Sequence, residues 1–154
     1  PMLKMLVIGS GEAEGRLQTL RESLGLHDRV FFTGRQEYGS MPDFMAAADV
    51  CLMYSDINPI TRNIVPIKTF EYLACGRPVL ANELPGLMRE VPPGNGIIYA
   101  TKDELLPALH GLLDSSTRER EGHKARVFAQ THCDWAKLTD RFEQVLSTII
   151  SLAQ

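Results

Sequence analysis

The stretch Asn63-Ile64-Val65-Pro66-Ile67-Lys68-Thr69-Phe70-Glu71-Tyr72-Leu73-Ala74-Cys75-Gly76-Arg77-Pro78-Val79-Leu80 decides how this chain is read: a loop, a short helix and a buried strand. Pro66 suits the first turn of a helix, Gly76 suits its end, and Pro78 stops it before the apolar run Val79-Leu80-Ala81. On a 3.6-residue period Ile67, Phe70, Glu71 and Ala74 share one side, which lays a carboxylate along an apolar stripe. Charge also falls at the wrong end. Arg62 and Lys68 flank the first turn, where the helix dipole disfavours cations, and Lys68 precedes Glu71 in the poorer order for a helical ion pair. An anion seated on free backbone N–H groups of Ile64 and Val65 makes both cations favourable, as in phosphate binding at a helix N-terminus.

Outward from this stretch the pattern alternates. Met5-Leu6-Val7-Ile8 reads as a buried strand, followed by Gly9-Ser10-Gly11 and a helix marked by Leu17, Leu20 and Leu24 that ends at Gly25. Arg29 to Gly34 is a second strand, Met41 to Ala48 a short helix, and Asp49 to Tyr54 a third strand whose continuous apolar core predicts cover on both faces. Pro78 to Asn82 and Gly96 to Tyr99 follow as strands, with a short helix and turn between them. Thr101 with Glu104, and Ser116 with Glu119, have capping-box spacing for two helices, the first delayed or bent by Pro107. Asp134 caps a last helix with Leu138, Phe142, Val145, Leu146, Ile149 and Ile150 as its buried face.

Such alternation predicts an α/β fold, a doubly wound parallel sheet with helices on both faces and further helices at the C-terminal end. Ligands of such sheets bind where the loops after the strands converge. Gly9 and Gly11 after the first strand, Gly34 and Arg35 after the second, and the loop running to Asn63 after the third are therefore candidate binding residues. Gly9, Gly11 and Gly15 imitate a dinucleotide fingerprint, but the third glycine comes one residue late, so a tight turn beside a ligand is the better reading.

At 154 residues the chain fits one domain, and 44% hydrophobic with 23% charged residues is ordinary for a soluble globular protein. A net charge of -3 excludes a bulk nucleic-acid binder, so phosphate chemistry has to be local. Cys51, Cys75 and Cys133 lack metal-ligand spacing and read as reduced thiols, which points to the cytoplasm; no metal site and no cofactor are expected. No signal peptide and no run of about 20 apolar residues is present in the chain. Ser10 has neither the nucleophile-elbow context nor an acid–base pair for hydrolysis.

With these residues in place, the chain resembles the C-terminal, donor-binding half of a GT-B glycosyltransferase, closest to glycosyltransferase family 4 (group 1). The resemblance covers nearly the whole chain and rests on Met5 to Gly11, Arg29 to Gly34, Ala48 to Met53 and, most specifically, Lys68 to Val79. It implies a single nucleotide-sugar-binding domain over 1–154, Rossmann-like, that lacks an N-terminal acceptor domain and a first strand–helix unit. It further implies retaining, metal-independent transfer of a sugar from a UDP- or GDP-sugar, in polysaccharide or glycoconjugate biosynthesis. The acceptor sugar, lipid or glycan is then held by the absent domain, with at most peripheral contact to the inner face of the membrane.

In that family Glu71 matches the second of two site carboxylates, the one that hydrogen-bonds the donor ribose. The first falls at Asn63, where this sequence departs from the pattern and offers an uncharged amide. Glu71, Lys68 and Asn63 are thus the expected catalytic set, with Gly9, Gly11, Gly34, Arg35, Arg62, Ile64 and Val65 binding the donor. The chain by itself is expected to bind nucleotide weakly and to turn over nothing. Two rivals follow from the same residues: a sugar-nucleotide epimerase of GT-B architecture, and a non-catalytic nucleotide-binding or interaction module favoured by Asn63.

Overall fold

A computed structural model describes residues 3–152 of the chain. The backbone clusters into two compact units, residues 1–43 and 44–154.

In the first unit β1 (Met5–Ile8) leads into α1 (Glu14–Ser23), which returns to β2 (Val30–Gly34). The two strands pair in parallel with Met5 opposite Val30, and the register shifts between Val7 and Ile8 so that Ile8 meets Gly34. Parallel pairing demands a crossover, and α1 supplies it. Arg21 on α1 lies over the Phe32 ring at 5.6 Å, a cation–π contact that ties the helix to β2. A 3-10 turn at Tyr38–Ser40 then opens toward the next helix.

The second unit begins with the body of α2 (Met41–Ala47) and continues through β3 (Cys51–Met53), a 3-10 turn at Thr61–Asn63, α3 (Ile67–Ala74), β4 (Val79–Ala81), α4 (Pro85–Glu90) and β5 (Ile97–Tyr99). Helices α5 (Leu105–Gly111), α6 (Ser115–His132) and α7 (Trp135–Leu152) complete it. The strands form one parallel ladder in the order β3-β4-β5, with Cys51 opposite Val79 and Val79 opposite Ile97. All of β4 is buried, as expected of a central strand covered on both faces. Leu73, Val79, Leu84, Leu87, Val91 and Ala125 are fully buried in the main core, and a smaller cluster joins Leu80, Ala100 and Leu112. Parallel strands with helices on both sides make this the expected α/β fold, its strands divided between two ladders.

Several boundaries follow the expected chemistry. Gly76 takes φ 66°, and its N–H donates to Leu73 O while that of Arg77 donates to Tyr72 O, a Schellman closure of α3. Pro107 sits inside the first turn of α5, which starts only at Leu105, while Glu104 folds back to accept from the Thr101 N–H and hydroxyl. Asp134 caps α7 by accepting from the Ala136 and Lys137 amides.

Others differ. The cap of α6 is Asp114, whose carboxylate accepts the Thr117 N–H at 2.8 Å, and Ser116 lies inside the helix. Aspartate at that place offers a carboxylate to the first-turn amides, so the helix starts two residues earlier than the Ser116–Glu119 spacing implies. The third strand is not covered on both faces, because Leu52 is exposed between buried Cys51 and Met53. The apolar stripe of α7 is exposed along its length, since no described element packs over it. No helix among the described residues is long and apolar enough to cross a membrane.

Candidate functional site

Helix α3 and the loop before it carry the motif that opened the sequence. After β3 the chain folds into a compact loop in which the Asn58 carboxamide oxygen accepts the Ile60 and Thr61 amides at 2.9 and 3.0 Å. Thr61 completes this turn, its hydroxyl accepting the Asn58 N–H and donating to Asp56 O. The 3-10 turn at Thr61–Asn63 closes when the Ile64 N–H donates to Thr61 O at 3.1 Å. That bond corrects one expectation: the Ile64 amide is occupied by the turn and is not a free donor. The Val65 N–H has no protein acceptor among the described residues.

Pro66, extended and without an N–H, caps α3, and the Thr69 N–H donates to Pro66 O at 3.0 Å. The amides of Ile67 and Lys68 belong to the first turn, whose N–H groups have no intrahelical acceptor. Lys68, Arg62 and Asn63 are exposed around this end, and Glu71 follows one turn later at intermediate burial. The helix faces the core through Thr69 and Leu73, with Phe70, Tyr72 and Ala74 packed at its flanks. Ile67 is 75% exposed, so the expected stripe is turned: starting the helix at Ile67 leaves that residue on the rim, beyond the reach of the core. Burial, with neighbouring Cys51 and Glu71 adding to it, pushes the Tyr72 hydroxyl pKa up, so it stays a neutral phenol beside the carboxylate.

A residue that sequence reasoning passed over stands at the end of β4. Asn82 is 4% exposed; its amide nitrogen donates to Ser55 O at 2.6 Å and its oxygen accepts the Ser55 N–H at 3.1 Å. The signal was present as a polar residue closing the all-apolar run Val79-Leu80-Ala81. Both β3 and β4 thus end beside the loop that feeds α3.

In the first unit the expected glycines come together at the carboxyl ends of β1 and β2. The Gly9 N–H donates to Gly34 O at 2.9 Å, and Arg35 follows, exposed. Gly11 opens the turn into α1, its carbonyl accepting the Glu14 N–H. Gly9, Gly11, Gly34 and Arg35 belong to this unit; Arg62, Asn63, Ile64, Val65, Lys68 and Glu71 belong to the other.

Residues 1–115 match the family described as Glycosyl transferases group 1. The chain belongs to this glycosyltransferase family. Among curated relatives, a GDP-mannose-dependent monoacylated alpha-(1-6)-phosphatidylinositol monomannoside mannosyltransferase of Corynebacterium glutamicum is 29% identical over 96% of this chain. A 2-deoxystreptamine N-acetyl-D-glucosaminyltransferase of Streptomyces fradiae is 27% identical over 80% of it. The chain spans 40% and 28% of the length of these two relatives. Among solved structures, Anabaena HepE in complex with UDP-glucose superposes with a TM-score of 0.79 at 23% identity, over 96% of this chain and 42% of that one. Sucrose-phosphate synthase from Thermosynechococcus elongatus gives 0.75 at 23% identity, over 97% and 39%. The fold is therefore that of the C-terminal domain of a GT-B glycosyltransferase.

Proposed function

We propose that this glycosyltransferase domain binds a nucleoside-diphosphate sugar at the N-terminal end of α3 and, in the full-length protein, passes the sugar to an acceptor hydroxyl with retained anomeric configuration and without a metal. The observation that carries this reading is the grouping of an unengaged Val65 amide, the first turn of α3, exposed Lys68 and Arg62, and Glu71 one turn on. In transfer the bond from the anomeric carbon to the diphosphate oxygen breaks as the acceptor oxygen bonds that carbon, negative charge grows on the departing diphosphate, and the acceptor hydroxyl's proton passes to that diphosphate. Fixed donors aimed at that charge lower the barrier because they need no rearrangement during the reaction. The Val65 amide, the helix end and Lys68 are such donors, with Arg62 assisting; the Ile64 amide drops out because Thr61 holds it.

Glu71 is then placed to accept hydrogen bonds from the ribose hydroxyls, and Asn63 to bond a sugar hydroxyl as both donor and acceptor. Gly9, Gly11, Gly34 and Arg35 lie in the first unit and are a separate proposal there, the glycines leaving main chain accessible to a ligand. The relative that uses GDP-mannose and the neighbour solved with UDP-glucose support a nucleotide-sugar donor of one of these two kinds. Acceptor, peripheral membrane contact and cytoplasmic placement belong to the whole protein and are part of the same proposal.

Titration calorimetry of the chain with UDP, GDP and their sugars tests the reading. One nucleotide is expected to bind, and Glu71→Ala or Lys68→Ala to weaken it at least tenfold with the thermal midpoint unchanged. Binding that survives both substitutions, or fails for wild type, sinks the site. Product analysis with the full-length protein separates transfer from epimerisation and from binding alone.

A further inference from the structure

The loop that presents Asn63 to Val65 is held at both of its ends by one segment, which runs from the end of β4 into the first turn of α4. At its start Ser55 is clasped by the Asn82 side chain through two hydrogen bonds, which extend the pairing that the Asn82 N–H begins with Met53 O at 3.3 Å. At its end Gly86 lies against the Asn63 main chain. A Cβ built on Gly86 falls 2.7 Å from the Asn63 carbonyl carbon, 2.8 Å from its oxygen and 2.9 Å from its Cα. Backbone cannot be approached that closely, so any side chain at this position forces either α4 or the loop to move.

Helix α4 is the element that cannot yield. Leu84, Leu87 and Val91 fix it in the core at 1%, 0% and 0% exposure. Residues 56–60, by contrast, are exposed, and the loop is organised mainly by its own turn bonds. A methyl group at position 86 therefore displaces Asn63 and the amides that follow it, outward from α4.

We infer that Gly86 and Asn82 are positioning residues: they fix the Ser55–Val65 loop so that Arg62, Asn63 and the Val65 amide stand at a set place before α3, ready for a nucleoside-diphosphate sugar. The ligand in this statement rests on the function proposed above; the clamping of the loop does not. Neither residue touches the donor in this scheme. Each acts through the segment that does.

Two readings of the same variants test it. Hydrogen–deuterium exchange of wild type, Gly86→Ala and Asn82→Ala is compared at the Arg62 and Ile64 amides, both engaged in turn bonds, and at the amides of α6 as an internal reference. Either variant is expected to raise exchange in the loop at least tenfold while α6 stays within twofold; loop exchange unchanged in both overturns the inference. Asn82→Ala keeps it decidable if Gly86→Ala does not fold.

Nucleotide affinity is measured alongside, with Leu112→Val, a cavity in the separate small cluster, as a control for lost stability. Weakening of at least tenfold is expected for the loop variants at a thermal midpoint where the control still binds within twofold of wild type. Equal affinities in loop variants and control overturn the positioning role. Wild type that binds neither UDP nor GDP defeats the functional reading instead, and the exchange contrast still decides whether Gly86 and Asn82 hold the loop.

Discussion

The unit ending at Asp43 and the unit beginning at Phe44 use the same device, a parallel ladder crossed by helices, yet they bury their apolar residues very differently. In the first, no described residue is buried; Met5, Leu6, Leu20 and Phe31 all keep two-fifths or more of their surface. In the second, all of β4 is buried and α3 is anchored by Leu73 at 0% exposure. The loops that carry candidate binding groups are therefore held by different means. Gly9 and Gly34 keep their places through main-chain hydrogen bonds, whereas Lys68 and Glu71 ride on a helix fixed by side-chain packing. Side-chain truncation should be severe in one unit and mild in the other.

Leu73→Ala is the largest expected effect. Removing a fully buried leucine from between α3 and the ladder costs about 2–5 kcal/mol, transfer and cavity terms together. Denaturant unfolding should show the loss, and the thiols supply a readout confined to this unit, since Cys51, Cys75 and Cys133 all lie in it. Burial pushes the Cys51 thiol up to about 11, with Cys75 adding to this and Arg77 opposing it, so in the intact unit it resists alkylation near neutral pH. Rapid labelling of Cys51 in Leu73→Ala is the expected result; a protected Cys51 with unchanged unfolding would erase the contrast.

A smaller effect separates two helix starts. Asp114 caps α6, whereas α1 begins at Ala13 with no side-chain cap. Hydrogen bonds from the Ser116 and Thr117 hydroxyls and the Thr117 amide hold the Asp114 carboxyl at about 2, below its ordinary 3.8. A lowered folded-state pKa means the contribution is complete above the unfolded value, at about pH 4 and higher, and is lost as pH falls toward about 2. Protection of the Thr117 amide, taken relative to the exchange rate of an unstructured chain at the same pH, should therefore fall through that window in wild type. Asp114→Ala should show low protection at every pH, with no step.

Much of this contrast was absent from the sequence. The elements were legible because their signals are local: Pro66 and Gly76 bracket α3, Gly25 ends α1, and Val79-Leu80-Ala81 can only be a buried strand. Burial was not, because periodicity announces an apolar stripe without naming what covers it. Leu17, Leu20 and Leu24 on α1, or Phe142 and Ile149 on α7, repeat as convincingly as Leu73 and its neighbours, yet only α3 meets a packed core. Within the candidate site, Lys68 and Glu71 could be picked out by charge and order, while Asn82 showed only as a polar residue closing an apolar run and Gly86 did not stand out. Their roles depend on Ser55 and Asn63, 27 and 23 positions away along the chain, and no local pattern encodes such a pairing.

Leu20→Ala sharpens the comparison from the other side. Leu20 lies on α1 much as Leu73 lies on α3, but at 51% exposure its truncation should cost less than about 1 kcal/mol, near the range of surface substitutions. Unfolding midpoints of the two leucine variants, measured together, should differ widely. A loss for Leu20→Ala as large as that for Leu73→Ala would show that the first unit has a core of its own.

The smallest effect concerns a polar group inside the second unit. Thr69 is 0% exposed beside Lys68, and its hydroxyl finds no hydrogen-bond partner among the described residues. A buried hydroxyl without a partner is a cost to the folded state, and valine has nearly the same shape without that cost. Thr69→Val is therefore expected to leave the thermal midpoint unchanged or raise it, by no more than about 1 kcal/mol in stability. Because the hydroxyl faces the core, nucleotide affinity should stay at the wild-type value even though Lys68 is the next residue. A clear loss of stability would mean that the hydroxyl is bonded. A loss of affinity alone would mean that the inner face of α3 reaches the donor, and that packing and binding in this unit are not divided between the two faces of the helix.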